Sequence, residues 1–277
     1  MAIVRHGSGP AATARALASQ VHPVFMLPAV ASSLFGALLA PTFAAGPAAV
    51  HVVAVFAGLY TAHVRDGYVD FYVRDEDDDH PLTARGSRAA VATSTCLFVL
   101  ATAALWVLVG PGAAALTAPG WVVGYLHAPQ LDTNPVTATA GYPLGVALAL
   151  LGGYYAQAGT LGPAVVGFGA VFLLVLSGVK VVDDAADVAY DRSIAKRTVA
   201  VAVGPRRART VAYGLLTAGA LAVCAFAAAG TFPPTTVLAV VPLAAVAAVA
   251  RRADPELATM LLVRGCYLFL VVLLLTT

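Results

Sequence analysis

The sequence predicts an all-α membrane protein: nine transmembrane helices in one bundle, with two aspartate-rich loops on the cytoplasmic side. Three observations carry this reading. Of the 277 residues, 60% are hydrophobic and only 11% charged, and the mean hydropathy is +0.85. A water-soluble domain of this length needs far less apolar surface, so the bilayer is the expected solvent. Apolar runs of about 18–22 residues, enough to cross a hydrocarbon core, recur along the whole chain. The charged residues gather in alternate links between those runs.

The runs lie near 21–42, 46–64, 89–110, 114–130, 137–157, 161–181, 209–229, 233–250 and 257–276. Pro119-Gly120 and Pro129 interrupt the fourth, and the fifth begins loosely after Pro135. A polar segment, 1–19, holds Arg5 and Arg15 and leads into the first run. No small-residue cleavage site ends that run, so it reads as a membrane helix and not as a cleaved leader. The whole chain, 1–277, reads as a single transmembrane domain.

Links after runs one, three, five and seven are short and uncharged: Pro41–Gly46, Gly110–Gly112, Ala158–Thr160 and Gly230–Pro234. Those after two, six and eight are charged. Arg65, Arg74, Arg85 and Arg88 surround the second; Lys180, Arg192, Lys196, Arg197, Arg206, Arg207 and Arg209 surround the sixth; Arg251, Arg252 and Arg264 flank the eighth. A one-sided basic bias places the N-terminus and the even links in the cytoplasm and the C-terminus outside. Missing one helix would scatter these charges over both sides, so the alternation supports the count.

Net charge is only +2, with no basic stripe interleaved with aromatics, which excludes nucleic acid as a partner. Cys96, Cys224 and Cys266 lie inside apolar runs without CxxC spacing and read as packed, inert thiols.

The most informative stretch falls in the loop 182–208: Asp184-Ala-Ala-Asp187-Val-Ala-Tyr-Asp191, followed by Lys196-Arg197-Thr198. On a continuing helix, Asp187 and Asp191 are i,i+4 neighbours and Asp184 joins their face one turn back. Carboxylates so grouped repel unless a cation sits among them. Hard oxygen donors suit Mg2+, which takes one or two carboxylates plus substrate phosphates. A second acidic stretch, in the loop 65–88, repeats the spacing with Asp66 and Asp70, then Arg74. The same offset relates Asp66 to Asp187 and Asp70 to Asp191, a weak internal repeat in which two helix–acidic-loop–helix units would face each other across a cavity.

These motifs resemble the UbiA superfamily of intramembrane prenyltransferases. Asp184, Asp187, Asp191, Lys196, Arg197 and Thr198 match that family's second motif, D-x-x-D-x-x-x-D with a following basic pair and Thr. Asp66, Asp70 and Arg74 match the latter half of its first motif, N-D-x-x-D-x-x-x-D. Ala62 and His63 stand where Asn and Asp are usual, and His22-Pro23 stands where Arg-Pro is common. Tyr125 and Pro129 keep a family-like spacing, although the basic residues that usually follow are replaced by Asp132-Thr133-Asn134.

The resemblance implies nine helices around a central cavity and transfer of an isoprenoid from a prenyl diphosphate to a lipophilic acceptor: a quinone precursor, an ether lipid, a porphyrin or a carotenoid end group. It implies Mg2+ held by Asp66, Asp70, Asp187 and Asp191, with Asp184 assisting. Arg74, Lys196 and Arg197 would bind the diphosphate. Tyr68, Tyr72 and Tyr125 would offer ring faces to the allylic cation. His22 and His127 would sit toward the acceptor or at the membrane interface, and His63, beside them in the acceptor pocket, would hydrogen-bond a neighbouring carboxylate or complete the first metal site. The acidic run Asp75–Asp79 reads as a solvated loop. Two other readings of the same charges stay open: a cation transporter, and a relative of the family with lost or altered catalysis, motivated by the incomplete first motif.

Overall fold

The computed structural model describes residues 2–277 and is helical almost throughout. In chain order the helices are α1 (Gly9–Ala18), α2 (Pro23–Leu38), α3 (Ala45–Tyr72), α4 (Ala84–Leu108), α5 (Pro111–Leu126), α6 (Pro135–Ala158), α7 (Pro163–Asp184), α8 (Val188–Ser193), α9 (Val199–Val203), α10 (Pro205–Ala228), α11 (Val240–Ala250) and α12 (Pro255–Thr276). Prolines open most of the long helices, where the missing N–H costs nothing. Thr83, Asn134, Thr198 and Asp254 cap α4, α6, α9 and α12 through their side-chain oxygens.

The nine expected membrane helices are not all found as spans. Among the described residues six of these helices, α3, α4, α6, α7, α10 and α12, are long and apolar enough to cross a membrane, or seven if α1 and α2, bent by 69°, form one span. The other predicted spans are shorter. Prolines limit them: α5 ends at Leu126, ahead of Pro129, where the run is expected to reach 130, and the run 233–250 begins as a 3-10 turn, Pro234–Ala239, before α11.

The two predicted acidic loops are largely helical. α3 runs eight residues past the predicted end of its run, because nothing from Val64 to Tyr72 breaks a helix. Asp66 and Asp70 therefore stand on its last two turns, and the chain leaves the helical path at Asp75, where φ is +56°. The segment 182–208 likewise carries the last turn of α7, then α8, α9 and the start of α10. The polar segment 1–19 is also structured. It holds α1, and its first residues pair with the chain before α4: Val4 bridges Leu82, and Thr83 N–H donates to the Ile3 carbonyl at 2.9 Å.

α7 runs through the centre, with 72% of its apolar window buried against 22% for α4 and α10. Phe168 on α7 stacks on Phe232 with centroids 4.0 Å apart, and Phe35 of α2 meets Phe168 edge-on at 5.5 Å. The outer faces stay apolar: Leu100, Trp106, Val107 and Leu108 on α4 are exposed. In lipid such faces carry no penalty, and helices are held by close packing instead of by hydrophobic exclusion. α2 and α6 show it. A Cβ on Gly36 would strike the Leu150 carbonyl, and one on Gly153 the Ser33 carbonyl.

Candidate active site

A cavity of about 660 Å³ lies between α2, α3, α5, α6 and α7. Apolar side chains line most of it, and its charged lining residues lie toward the C-terminal ends of α3 and α7: Asp66 and Asp70, then Asp77 and Asp79 beyond α3, with Lys180 and Asp183 on α7. The position of the acids follows from helix geometry. Asp66 and Asp70 are one turn apart, and His63 precedes Asp66 on the same face, one turn deeper.

The cations expected to be free for an anion are instead held by acids. Arg74, only 10% exposed, reaches Asp132 at 2.6 Å, Glu76 at 3.5 Å and Asp70 at 3.7 Å. Lys196 meets the other Glu76 oxygen at 3.4 Å, and the Tyr190 hydroxyl donates to that same oxygen at 3.3 Å. Glu76 therefore ties the end of α3 to the α8–α9 segment. Lys196 in turn acts electrostatically on both Asp70 and Asp191, so the two acidic stretches meet around one ammonium.

The second stretch divides. Asp191 is buried; its carboxylate accepts from the Thr198 hydroxyl at 3.2 Å. Burial lifts its pKa above the ordinary carboxylate range, while Lys196 and the Thr198 bond oppose the shift. Asp187, at the N-cap position of α8, is exposed. The i,i+4 relation survives the break between α7 and α8, since Asp191 N–H donates to the Asp187 carbonyl at 2.8 Å. Asp184 is engaged elsewhere: Lys180 holds it at 2.6 Å and Asp183 at 2.9 Å. The Asp184 carboxylate is thus paired within α7, by a lysine whose place in the sequence marks it only as a charge beside a link.

Most expected site residues lie off the cavity lining, Arg74, Asp184, Asp187, Asp191, Lys196 and Arg197 among them. Arg197 is exposed and joins the site by its backbone N–H, 2.9 Å from the Asp132 carbonyl. Tyr125 is sandwiched by other groups: the Arg65 guanidinium lies 4.1 Å from its ring centroid, and Trp121 stacks at 4.9 Å. Tyr68 packs on Tyr72 at 5.2 Å. None of the three lines the cavity, whereas His22, His63 and His127 do. His22 and His63 stack with centroids 4.9 Å apart.

Glu76 and Asp132 are residues that the sequence reading missed. Glu76 is hidden in the run Asp75–Asp79, which reads as solvated; its side chain is 4% exposed. Asp132 is a lone acid in the link after α5, and a buried arginine in need of partners is the only signal that could have marked it. The rest of the acidic run behaves as expected: Asp79 is exposed and pairs with His6 at 2.8 Å.

Metal chemistry is compatible with this donor set. One buried carboxylate oxygen each of Asp132 and Asp184 lacks a hydrogen-bond partner, and one each of Asp70 and Glu76 faces Arg74 only at 3.7 and 3.5 Å, a deficit that a further cation would fill. Among the described residues no three acidic, imidazole or thiol groups converge as a ready-made site. The expected carboxylate clusters are thus not preassembled; an ion that takes one or two carboxylates and completes its shell with substrate oxygens and water does not require them to be.

The helices form a bundle around a cavity that is acidic at one end and apolar beyond, and the sequence comparison gives its class. The chain belongs to the UbiA prenyltransferase family, whose model matches residues 29–273, and it is a multi-pass membrane protein. Among the curated proteins, none matches by sequence. Solved structures match over nearly the whole chain. A UbiA homologue from Archaeoglobus fulgidus bound to GPP and Mg2+ is 15% identical with a TM-score of 0.74, covering 94% of this chain and 97% of that one. The apo UbiA homologue from Aeropyrum pernix K1 is 17% identical with a TM-score of 0.73, covering 92% and 97%. A digeranylgeranylglyceryl phosphate synthase is 12% identical with a TM-score of 0.69, covering 96% of each chain.

Proposed function

We propose that this protein transfers a prenyl group from a prenyl diphosphate to a lipophilic acceptor at the acidic end of the cavity. The observation that carries the proposal is the continuity of two environments. A carboxylate-rich mouth opens into an apolar chamber of about 660 Å³, within the ~300–1,000 Å³ usual for small-molecule sites. A prenyl tail in the chamber gains ~0.8 kcal/mol per buried CH2, so the tail supplies affinity and the mouth supplies chemistry. The Archaeoglobus homologue bound to GPP and Mg2+ supports this assignment.

Asp66 and Asp70 from α3, with Asp187 and Asp191 from the second stretch, would hold Mg2+. When bound, that ion neutralises the charge that builds on the departing diphosphate. Arg74 and Lys196 add fixed positive charge from either side of Glu76. Asp184, held by Lys180, serves as a positioning group for the end of α7. The apolar walls keep water from the allylic cation. By the positive-inside rule the mouth and the N-terminus face the cytoplasm.

The test is tight binding of geranylgeranyl diphosphate by the purified protein, dependent on Mg2+ and abolished by Asp187→Asn. Ion flux into liposomes without diphosphate binding would instead establish a transporter. The placement of the acids at helix ends, on one side of the bundle, argues against that. His63 at an acidic motif position favours a variant of the family chemistry over its outright loss, because it lines the cavity beside Asp66.

A further inference from the structure

Five of the six histidines line the one cavity: His22, His51, His63, His80 and His127. Two are committed to hydroxyls, His51 to Ser33 at 2.7 Å and His80 to Ser87 at 3.3 Å. His63 is not. Among the described residues its ring nitrogens take no hydrogen bond, its ring face rests on His22, and it lines the cavity with His22, Asp66 and His127. It lies one helical turn deeper than Asp66, between the acidic mouth and the apolar chamber. A substrate with its diphosphate at the mouth and its tail in the chamber must pass its first carbons across this ring.

We propose that His63 is the catalytic base of the reaction, taking the proton that a neutral hydroxyl or ring C–H acceptor loses as it is alkylated. This rests on the prenyl-transfer reading above. The C1–O bond of the prenyl diphosphate breaks, and its electron pair leaves with pyrophosphate. The acceptor's electron pair forms the new bond to C1, and the acceptor's proton passes to the lone pair of the free His63 nitrogen. The imidazolium then returns the proton to solvent at the polar mouth. A carboxylate at this position, as in the family motif, would be drawn to the metal. An uncharged imidazole prefers a proton to Mg2+, whose shell favours oxygen, so the substitution turns a ligand position into a base. Its stack on His22 fixes the ring plane.

The same base has a signature that needs no acceptor. With geranylgeranyl diphosphate and Mg2+ alone, the allylic cation either adds water to give an alcohol or loses a proton. In the second case a C–H bond on a substituent of C3 gives its pair to a new C=C, the proton goes to His63, and a hydrocarbon results. The full-length protein in detergent should yield the hydrocarbon alongside the alcohol. His63→Asn and His63→Gln should each lower the hydrocarbon-to-alcohol ratio by about 100-fold, the lower end of a general-base contribution, whatever the total released. An unchanged ratio, or alcohol alone from the unsubstituted protein, overturns the base and leaves prenyl transfer standing. No pyrophosphate release by the unsubstituted protein overturns both.

Discussion

The Lys196 ammonium lies 3.4 Å from a Glu76 carboxylate oxygen, joining positions 120 residues apart in the chain. The other Glu76 oxygen faces Arg74 at 3.5 Å. One buried carboxylate thus sets the spacing of two cations that come from the two acidic stretches. Preorganised charge is what a departing diphosphate needs, because reorganisation at the moment of ionisation would cost part of the gain.

Glu76→Gln keeps the shape and removes the charge. Its contacts become ordinary hydrogen bonds, each weaker by about 1 kcal/mol than a charge-assisted one. Mg2+-dependent affinity for geranylgeranyl diphosphate should fall roughly five- to tenfold, measured by calorimetry in detergent. An affinity that rises would mean that Glu76 competes with the diphosphate for the two cations.

Arg74 presents the opposite case. It is nearly buried, and Asp132 and Glu76 depend on it. Arg74→Ala strands the buried Asp132 carboxylate, while Glu76 keeps Lys196 and Tyr190; breaking such a pair from one side costs about 3–5 kcal/mol. The melting temperature in detergent should drop sharply. Arg74→Ala combined with Asp132→Asn should recover part of the loss, a non-additivity that a double-mutant cycle measures directly.

The packing of α2 on α6 gives a sharper structural test. A methyl at Gly153 meets the Ser33 carbonyl and neighbouring backbone atoms, which cannot rotate away as a side chain can. Gly145, on the same helix, has open space at that point. Gly153→Ala should abolish recovery of folded protein, by fluorescence-detected size exclusion, while Gly145→Ala should be recovered like the parent.

Six or seven of the nine expected spans, and the acidic motifs, are legible in the sequence because both are local patterns: hydropathy over a run, and aspartates at helical spacing. The sequence misjudged where helices end. Asp66 and Asp70 read as a loop because charge is taken as the mark of a link, yet a helix end lining a polar mouth tolerates charge without breaking. The partners of Arg74 were invisible for a different reason. Asp132 and Glu76 come to it from a different link and from a solvated-looking run, and only the tertiary fold makes either of them buried. Tyr125 has the right spacing to Pro129, but nothing local shows that Arg65 and Trp121 already cover its ring.

The cavity mouth also carries a pH-sensitive group outside the spans. His80 is buried beside Phe71 and hydrogen-bonded to Ser87. Burial holds its pKa below the ordinary histidine value, and Arg5 pushes the same way, while Asp77 and Asp79 oppose them. The sign follows from linkage. Below about pH 6.5 the unfolded chain binds a proton at this histidine that the folded protein refuses, so stability falls as pH drops from there toward the lowered folded value. The segment it anchors, from Asp77 to Thr83, is the one clasped by the N-terminal arm through Arg5, His6 and Ile3. Limited proteolysis of this segment should therefore quicken between pH 7.5 and 5.5. His80→Asn, which cannot charge, should flatten that dependence; a profile as steep as the parent's would place the pH sensitivity elsewhere.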